Sequence, residues 1–346
     1  MNIGWIADRN RILEGVSIGV VLIGLMGACS ESTGTDTTGD GDTASSPDGN
    51  TETDTEIGTG SGTAIDDVDC NNLPTLPFVA KLVAEIPSSE DFVFDKDGYL
   101  VQFTWEGVVE ETAYDGDSVI LTKIDNLGAQ GTRFLSNGDL IVTDAAKNQL
   151  VRIHPNGSYE PVAMGLSDPN GIAVHLNGTV YVTSATGRIY RFDPVANTYD
   201  VVIEKLNCSF DGITFSPDYK TLYFNEERGT IHKAAVNPDG TLQPDEILAV
   251  LEQRTDFLDG MTADSCGNVY SVDMGGVIWR ITPTGEIALA VEIADESGDP
   301  MHAITPAVNF GSGYGGWKAT HLFIMSFDGG LFEAAMGVPG KPEPHL

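Results

Sequence analysis

Residues 210–227, FDGITFSPDYKTLYFNEE, decide the fold. A polar loop ends in Asp211-Gly212 and an apolar run follows. Asp218-Tyr219-Lys220 makes a tight turn, and a second apolar run leads into Asn225-Glu226. Two short runs rich in β-branched and aromatic residues around a turn read as paired strands. The same unit recurs from Glu90 (EDFVFDKDGYLVQFT), Gln130 (QGTRFLSNGDLIVTD), Asn170 (NGIAVHLNGTVYVTS) and Asp259 (DGMTADSCGNVYSVD), and more loosely from Thr305 (TPAVNFGSGYGGWKATHLFIMS). The spacings are 40, 40, 41, 48 and 46 residues. A near-fixed period of this size predicts a repeat architecture.

Each copy continues into a third strand, such as 150–154, 188–192 or 277–281, and a more variable fourth, such as 159–163 or 287–293. Four strands in each of six repeats predict an all-β, six-bladed β-propeller with four-stranded blades. No helical periodicity is sustained long enough to suggest a helical layer. The sixth repeat supplies three strands before a Pro- and Gly-rich tail. The unassigned segment 78–86 (FVAKLVAEI) is therefore expected to be the outer strand of the sixth blade, closing the ring from the N-terminal side.

The chain preceding this head divides in two. In residues 1–29, Arg9 and Arg11 precede the uncharged run GVSIGVVLIGLMGA and then Cys29. The run is short for a bilayer span and fits the core of a signal peptide. Small residues directly before the cysteine resemble a bacterial lipobox, which predicts lipidation of Cys29. Residues 30–69 are acidic and rich in Thr, Gly and Ser, without aromatic residues. They cannot bury enough apolar surface to offset ordering entropy and read as a disordered linker. Residues 70–346 form the propeller. The arrangement predicts an outer-membrane lipoprotein, monomeric and attached to the membrane only through its N-terminal lipid.

The formal net charge is −33. Only 11 acidic residues lie in the linker, so the head itself is strongly acidic. Nucleic-acid binding requires basic surface to displace counterions and is set aside. The four cysteines contain no CxxC and the six histidines no HExxH, which argues against zinc. The blade register places Cys266 in a turn of the fifth blade, and Cys70 before the closing strand on the same face. That predicts a Cys70–Cys266 disulfide with Cys208, at the other end of the blades, left free.

In a propeller the first strand of each blade lines the central channel. Glu90, Gln130, Asn170, Asp211 and Asp259 stand at equivalent positions just before it. Any one of these followed by glycine is an ordinary turn signal. Three carboxylates facing one axis repel one another unless a cation lies between them. Hard oxygen donors without His or Cys favour calcium. Nearby loops offer Asp144, Asn225, Glu226, Asp273 and His302 as groups that could move a proton.

The motifs SSEDFVFDKDG, PNGIAV, DGITFSPDYKTLYF, LDGMTADSCGNVYSVDMGGVIWRITPTGE and PAVNFGSG resemble the senescence-marker-protein/gluconolactonase family of six-bladed propellers over essentially all of 78–340. The resemblance implies a divalent-cation site built by Glu90, Asn170, Asp211 and Asp259. Position 211 departs from the family pattern, which usually has Asn. The resemblance also implies a calcium-dependent hydrolase of lactones or related esters, with Asp259, His302 and Glu226 as candidate catalytic residues. Ser89-Glu90-Asp91 is similar to a paraoxonase stretch in which the second acid holds a structural calcium, and Asp91 is a candidate for that role. A non-catalytic binding or scaffold propeller with structural calcium is the alternative. A metal-free enzyme resembling the strictosidine synthases is disfavoured by the acidic ring.

Overall fold

The computed structural model describes residues 68–254, 256–294 and 303–346. The leader, nearly all of the linker and His302 lie outside them. The described residues form 24 strands and a single 3-10 turn, Ala145–Lys147. Strand β1 (Phe78–Glu85) comes first. One sheet holds β2 (Phe92–Phe94), β3 (Leu100–Phe103), β4 (Val108–Thr112) and β5 (Ser118–Lys123). The next holds β6 (Ala129–Phe134), β7 (Leu140–Asp144), β8 (Gln149–Ile153) and β9 (Tyr159–Met164). A third holds β10 (Pro169–Val174), β11 (Val180–Ser184), β12 (Arg188–Asp193) and β13 (Thr198–Glu204). A fourth holds β14 (Phe210–Phe215), β15 (Thr221–Glu226), β16 (Thr230–Ala235) and β17 (Glu246–Val250).

The remaining strands are β18 (Leu258–Ala263), β19 (Val269–Asp273), β20 (Val277–Ile281), β21 (Ile287–Ile293), β22 (Ala307–Phe310), β23 (His321–Met325) and β24 (Gly330–Ala335). They join β1 in one eight-stranded sheet of order β18-β19-β20-β21-β1-β24-β23-β22. Strand β1 lies antiparallel beside β24, with Lys81 opposite Glu333, the outer place expected for it. It also runs parallel to β21, with Phe78 opposite Val291, and so fuses two four-stranded units that the sequence presents as separate.

The first strands touch in the cyclic order β2, β6, β10, β14, β18, β22 and back to β2. This all-β set of antiparallel four-stranded units around shared inner strands is a β-propeller arrangement. The cores lie between neighbouring sheets. One packs Ala173, Tyr181 and Ile189 of the third sheet against Phe210, Phe215 and Phe224 of the fourth. Side chains buried on both faces explain why the inner strands read as continuous apolar runs without clean alternation.

Cys70 and Cys266 are bonded, with Cα atoms 5.5 Å apart, linking the segment before β1 to the β18–β19 turn. The expectation that Cys208 stays free is not met, because it too is disulfide-bonded. The blade register ranked Cys208 only by distance from Cys70 and Cys266, which says nothing about a third partner.

Candidate metal centre

Four of the first strands are irregular at the same place. The pairing register shifts between Ala129 and Thr132, Pro169 and Ile172, Phe210 and Ile213, and Leu258 and Met261. Each shift contains one dipeptide: Gln130-Gly131, Asn170-Gly171, Asp211-Gly212 or Asp259-Gly260. These dipeptides are therefore bulges within strands and not the turns their composition suggests. A bulge re-aims a side chain out of the regular pleat. Here it delivers Gln130, Asn170, Asp211 and Asp259 to the wall of one cavity, together with Glu90 and Asp91.

The glycines have a steric cause. A Cβ on Gly131 would lie 2.5 Å from the Asn170 carbonyl oxygen, and one on Gly171 2.5 Å from that of Asp211. A Cβ on Gly212 would lie 2.4 Å from the Asp259 carbonyl, and one on Gly260 2.6 Å from that of Pro306. Each glycine lets the next inner strand approach, and the carbonyl it admits belongs in all four cases to a cavity-lining residue. The second strands then hold those carbonyls. Thr143 Oγ1 donates to Asn170 O at 2.7 Å, Thr183 Oγ1 donates to Asp211 O, and Asn225 Nδ2 donates to Asp259 O at 2.6 Å.

The cavity holds about 20 Å³, room for one water or one ion. Its polar groups are strongly coupled. Asn170 Nδ2 donates to Asp211 Oδ2 at 3.0 Å. Burial pushes the Asp211 carboxyl up to about 7, with the charge of Glu227 adding to it and hydrogen bonds to Asp259 and Asn170 opposing it. Asp259 is held well above the ordinary carboxylate range by burial, then by the charges of Asp211 and Glu90. Glu90 is raised in the same way, by burial and then by Asp211 and Asp91. Carboxylates crowded in low dielectric lose charge unless a cation takes the place of the protons.

Three carboxyls and an amide are a hard, all-oxygen donor set around an ion-sized space, and they fit a divalent cation. Among the described residues no three His, Cys, Asp or Glu stand close enough to form a ready-made metal cluster. Asn170, which lines the same cavity, is the fourth candidate donor. Binding would therefore draw the three carboxyls inward.

Asp91 is engaged differently from the expectation. Its Oδ2 accepts from Arg133 Nη1 at 2.7 Å and from the Thr132 amide at 2.9 Å. The guanidinium provides the positive charge that a second calcium would have supplied, so Asp91 is an ion-pair residue. Arg133 lines both this cavity and a larger one of about 180 Å³ at the far ends of the first strands. The C-terminal segment fills much of that far end. Lys341 Nζ pairs with Glu343 at 2.7 Å, Tyr219 donates its hydroxyl to Pro342 O at 2.5 Å, and His345 bonds Phe94 O at 2.8 Å. Its charges are matched, whereas the carboxyls of Glu90, Asp211 and Asp259 in the smaller cavity have no cation beside them among the described residues.

The loop candidates are mostly committed elsewhere. Glu226 is correctly placed at the end of β15 but turns away from the cavity, its Oε1 lying 2.8 Å from His232 Nε2. His232 Nδ1 lies 2.8 Å from Asp245 Oδ2, and its ring stacks on Phe224. Burial would lower the His232 pKa, but the carboxylates of Asp245 and Glu226 outweigh it and raise it. Asp144 accepts from the Gly128 amide and Gln149, and Asp273 from the Asp256 amide and Trp279, so both brace hairpins. A further acid whose charge acts on the cavity is Glu227, which sequence reading passed over. Burial raises it, Ser209 donates to it, and its charge acts on both Asp211 and Asp259. It closes the opening 18-residue stretch, one place beyond the residue chosen.

Comparison with known proteins agrees with the fold. Residues 180–298 match the family model described as SMP-30/Gluconolactonase/LRE-like region, and residues 162–192 match one described as Strictosidine synthase-like, N-terminal. No curated protein matches the chain by sequence. Among solved structures it is similar to the calcium-binding protein regucalcin from Agrobacterium tumefaciens, with TM-score 0.62 and 18% identity over 77% of this chain and 96% of that one. It is similar to a gluconolactonase from Xanthomonas campestris, with TM-score 0.60 and 18% identity over 75% of this chain and 89% of that one. It is also similar to a luciferin-regenerating enzyme, with TM-score 0.62 and 14% identity over 78% of this chain and 99% of that one. At these identities the likeness to solved structures speaks for the fold. Over residues 180–298 the chain carries an SMP-30/gluconolactonase/LRE-like region.

Proposed function

We propose that this protein is a calcium-dependent hydrolase of lactones or related esters, built as a six-bladed propeller that β1 closes. The observation that carries the reading is the convergence of Glu90, Asn170, Asp211 and Asp259 on one buried, ion-sized cavity, where burial raises all three carboxyls and the charge of Asp211 raises Glu90 and Asp259 further. The regucalcin and gluconolactonase neighbours support it at the level of fold.

The bulges fix Asn170, Asp211 and Asp259, and the side chains that hold their carbonyls keep them there. A cation bound there supplies Lewis-acid polarisation of an ester carbonyl and lowers the pKa of water. Asp259 and Glu227 are the groups at this end of the channel placed to take and return a proton. Arg133 neutralises Asp91 below the cavity and confines the uncompensated negative charge to the cation position.

One observation favours the second reading, a non-catalytic scaffold with structural calcium: the cavity takes an ion but leaves no enclosed room for a substrate. Assay of the purified full chain on a lactone and aryl-ester panel decides between them. The hydrolase reading expects turnover that a chelator abolishes and calcium restores. Calcium binding without turnover of any ester leaves the scaffold.

A further inference from the structure

The cation end of the channel carries an apolar patch that the proposed reaction does not use. Trp105 follows β3, Phe327 follows β23 and Ile304 precedes β22, so the strand directions bring all three to the end of the channel where Glu90 lies. They form one surface. The Trp105 and Phe327 rings have centroids 5.5 Å apart, and the Phe327 amide donates to Ile304 O at 2.8 Å. Trp105 is 45% exposed and Ile304 50% exposed, and it is their contiguity with Phe327 that sets them apart. The patch adjoins the cavity through the chain itself. Trp105 Nε1 donates to Ser88 Oγ at 2.8 Å, two residues before Glu90, and Ile304 stands two residues before the cavity-lining Pro306.

Charge at the same end points in a complementary direction. A dication held by Glu90, Asp211 and Asp259 would leave one excess negative charge, beside Glu227, on whose carboxyl Arg228 also acts. The nearest cation in the cavity wall, Arg133, is already paired with Asp91 at 2.7 Å. An anionic substrate would meet like charge in a low-dielectric site.

We infer that the substrate is an uncharged lactone or ester bearing an apolar substituent, with its carbonyl at the cavity and its substituent on the Trp105–Phe327–Ile304 surface. This rests on the hydrolase reading and specifies its substrate. Hydrolysis then generates a carboxylate, which the excess negative charge expels. Selectivity for chain length comes from apolar area covered at the patch, and selectivity against anions comes from Asp211 and Glu227.

The test uses the full calcium-loaded chain and a series of γ-lactones differing only in alkyl substituent, from methyl to octyl. Catalytic efficiency should rise roughly two- to fourfold per methylene, the range expected from apolar burial. Trp105→Ala and, independently, Phe327→Ser should flatten the series, with the loss growing as the alkyl chain lengthens. Calorimetric binding of the matching alkyl lactams, which do not turn over, should show the same slope and its loss. A homologue ending in a carboxylate should be poor, and Glu227→Gln should improve it. Hydrolysis with a flat series in the wild type, or a slope retained in both patch variants, overturns the inference. If no ester is hydrolysed, the hydrolase reading fails, and a flat lactam series would overturn the inference separately.

Discussion

Asn225 donates Nδ2 to the backbone carbonyl of Asp259 at 2.6 Å, across the boundary between the β14–β17 sheet and β18. The same nitrogen reaches Ser271 Oγ at 3.1 Å. The candidate ligand is thus held through its own backbone by the neighbouring sheet, as Asp211 is by Thr183 and Asn170 by Thr143. Asn225→Leu leaves a buried carbonyl unpaired and should cost about 1–3 kcal/mol in chemical unfolding. Asn225→Asp should be at least as damaging, because a carboxylate cannot donate and adds negative charge. Both should weaken calcium binding measured by calorimetry although neither removes a ligand.

Gly212→Ala places a methyl group 2.4 Å from the Asp259 carbonyl oxygen and 2.8 Å from Met261 Cβ. The clash is with backbone and cannot be relieved by a rotamer change. Overpacking of this kind costs about 1–3 kcal/mol. A lowered Tm together with weaker calcium binding is the expected result. A variant as stable as wild type would show that the inner strands do not approach through this glycine.

The stability of the metal-free protein should fall as pH rises. The Asp211 carboxyl, at about 7 when folded, is far above its value in the unfolded chain, and Asp259 and Glu90 shift the same way. A raised carboxyl binds its proton more tightly in the folded state. Its stabilisation is complete below the unfolded pKa, about 4, and is lost as pH climbs through the folded value. The lowered Asp245 and Glu343 act oppositely below the ordinary carboxylate range, while within the window the raised Asp91, Asp264 and Glu227 act with the ring and the lowered His345 acts against it. Thermal melts in chelator between these limits should show the decline, and saturating calcium should suppress it.

The Cys70–Cys266 bond closes a loop with a sequence separation of 196 residues. Chain-entropy reasoning assigns such a loop about 5 kcal/mol of stabilisation. The double substitution to Ser should lower the unfolding midpoint markedly without altering calcium affinity, since the bond lies at the end of the blades opposite the cavity. A large loss of affinity would mean that ring closure and the cation site are mechanically coupled.

Much of this was legible from the repeat. The 40–48-residue period fixes where strands start, and aligning the copies puts Glu90, Asn170, Asp211 and Asp259 in equivalent places. What the letters hide is direction. Asn-Gly and Asp-Gly have the composition of turns, and only the shifted register shows them to be bulges that aim side chains at the axis. Asn225 and Glu226 are adjacent in sequence, but alternation along a strand sends one to Asp259 and the other to His232. Arg133 reads as a solvated strand residue until the approach of β6 to β2 brings it to Asp91, 42 residues earlier. Contacts of that separation leave no local pattern to read.

Calcium titration of the full chain, followed by calorimetry in parallel with Asp259→Asn and Glu90→Gln, tests the central claim most directly. One site per chain, lost or severely weakened in both variants, is the predicted result. Absence of binding, or binding that both variants retain at wild-type strength, would contradict the assignment of the carboxylate ring as a cation centre.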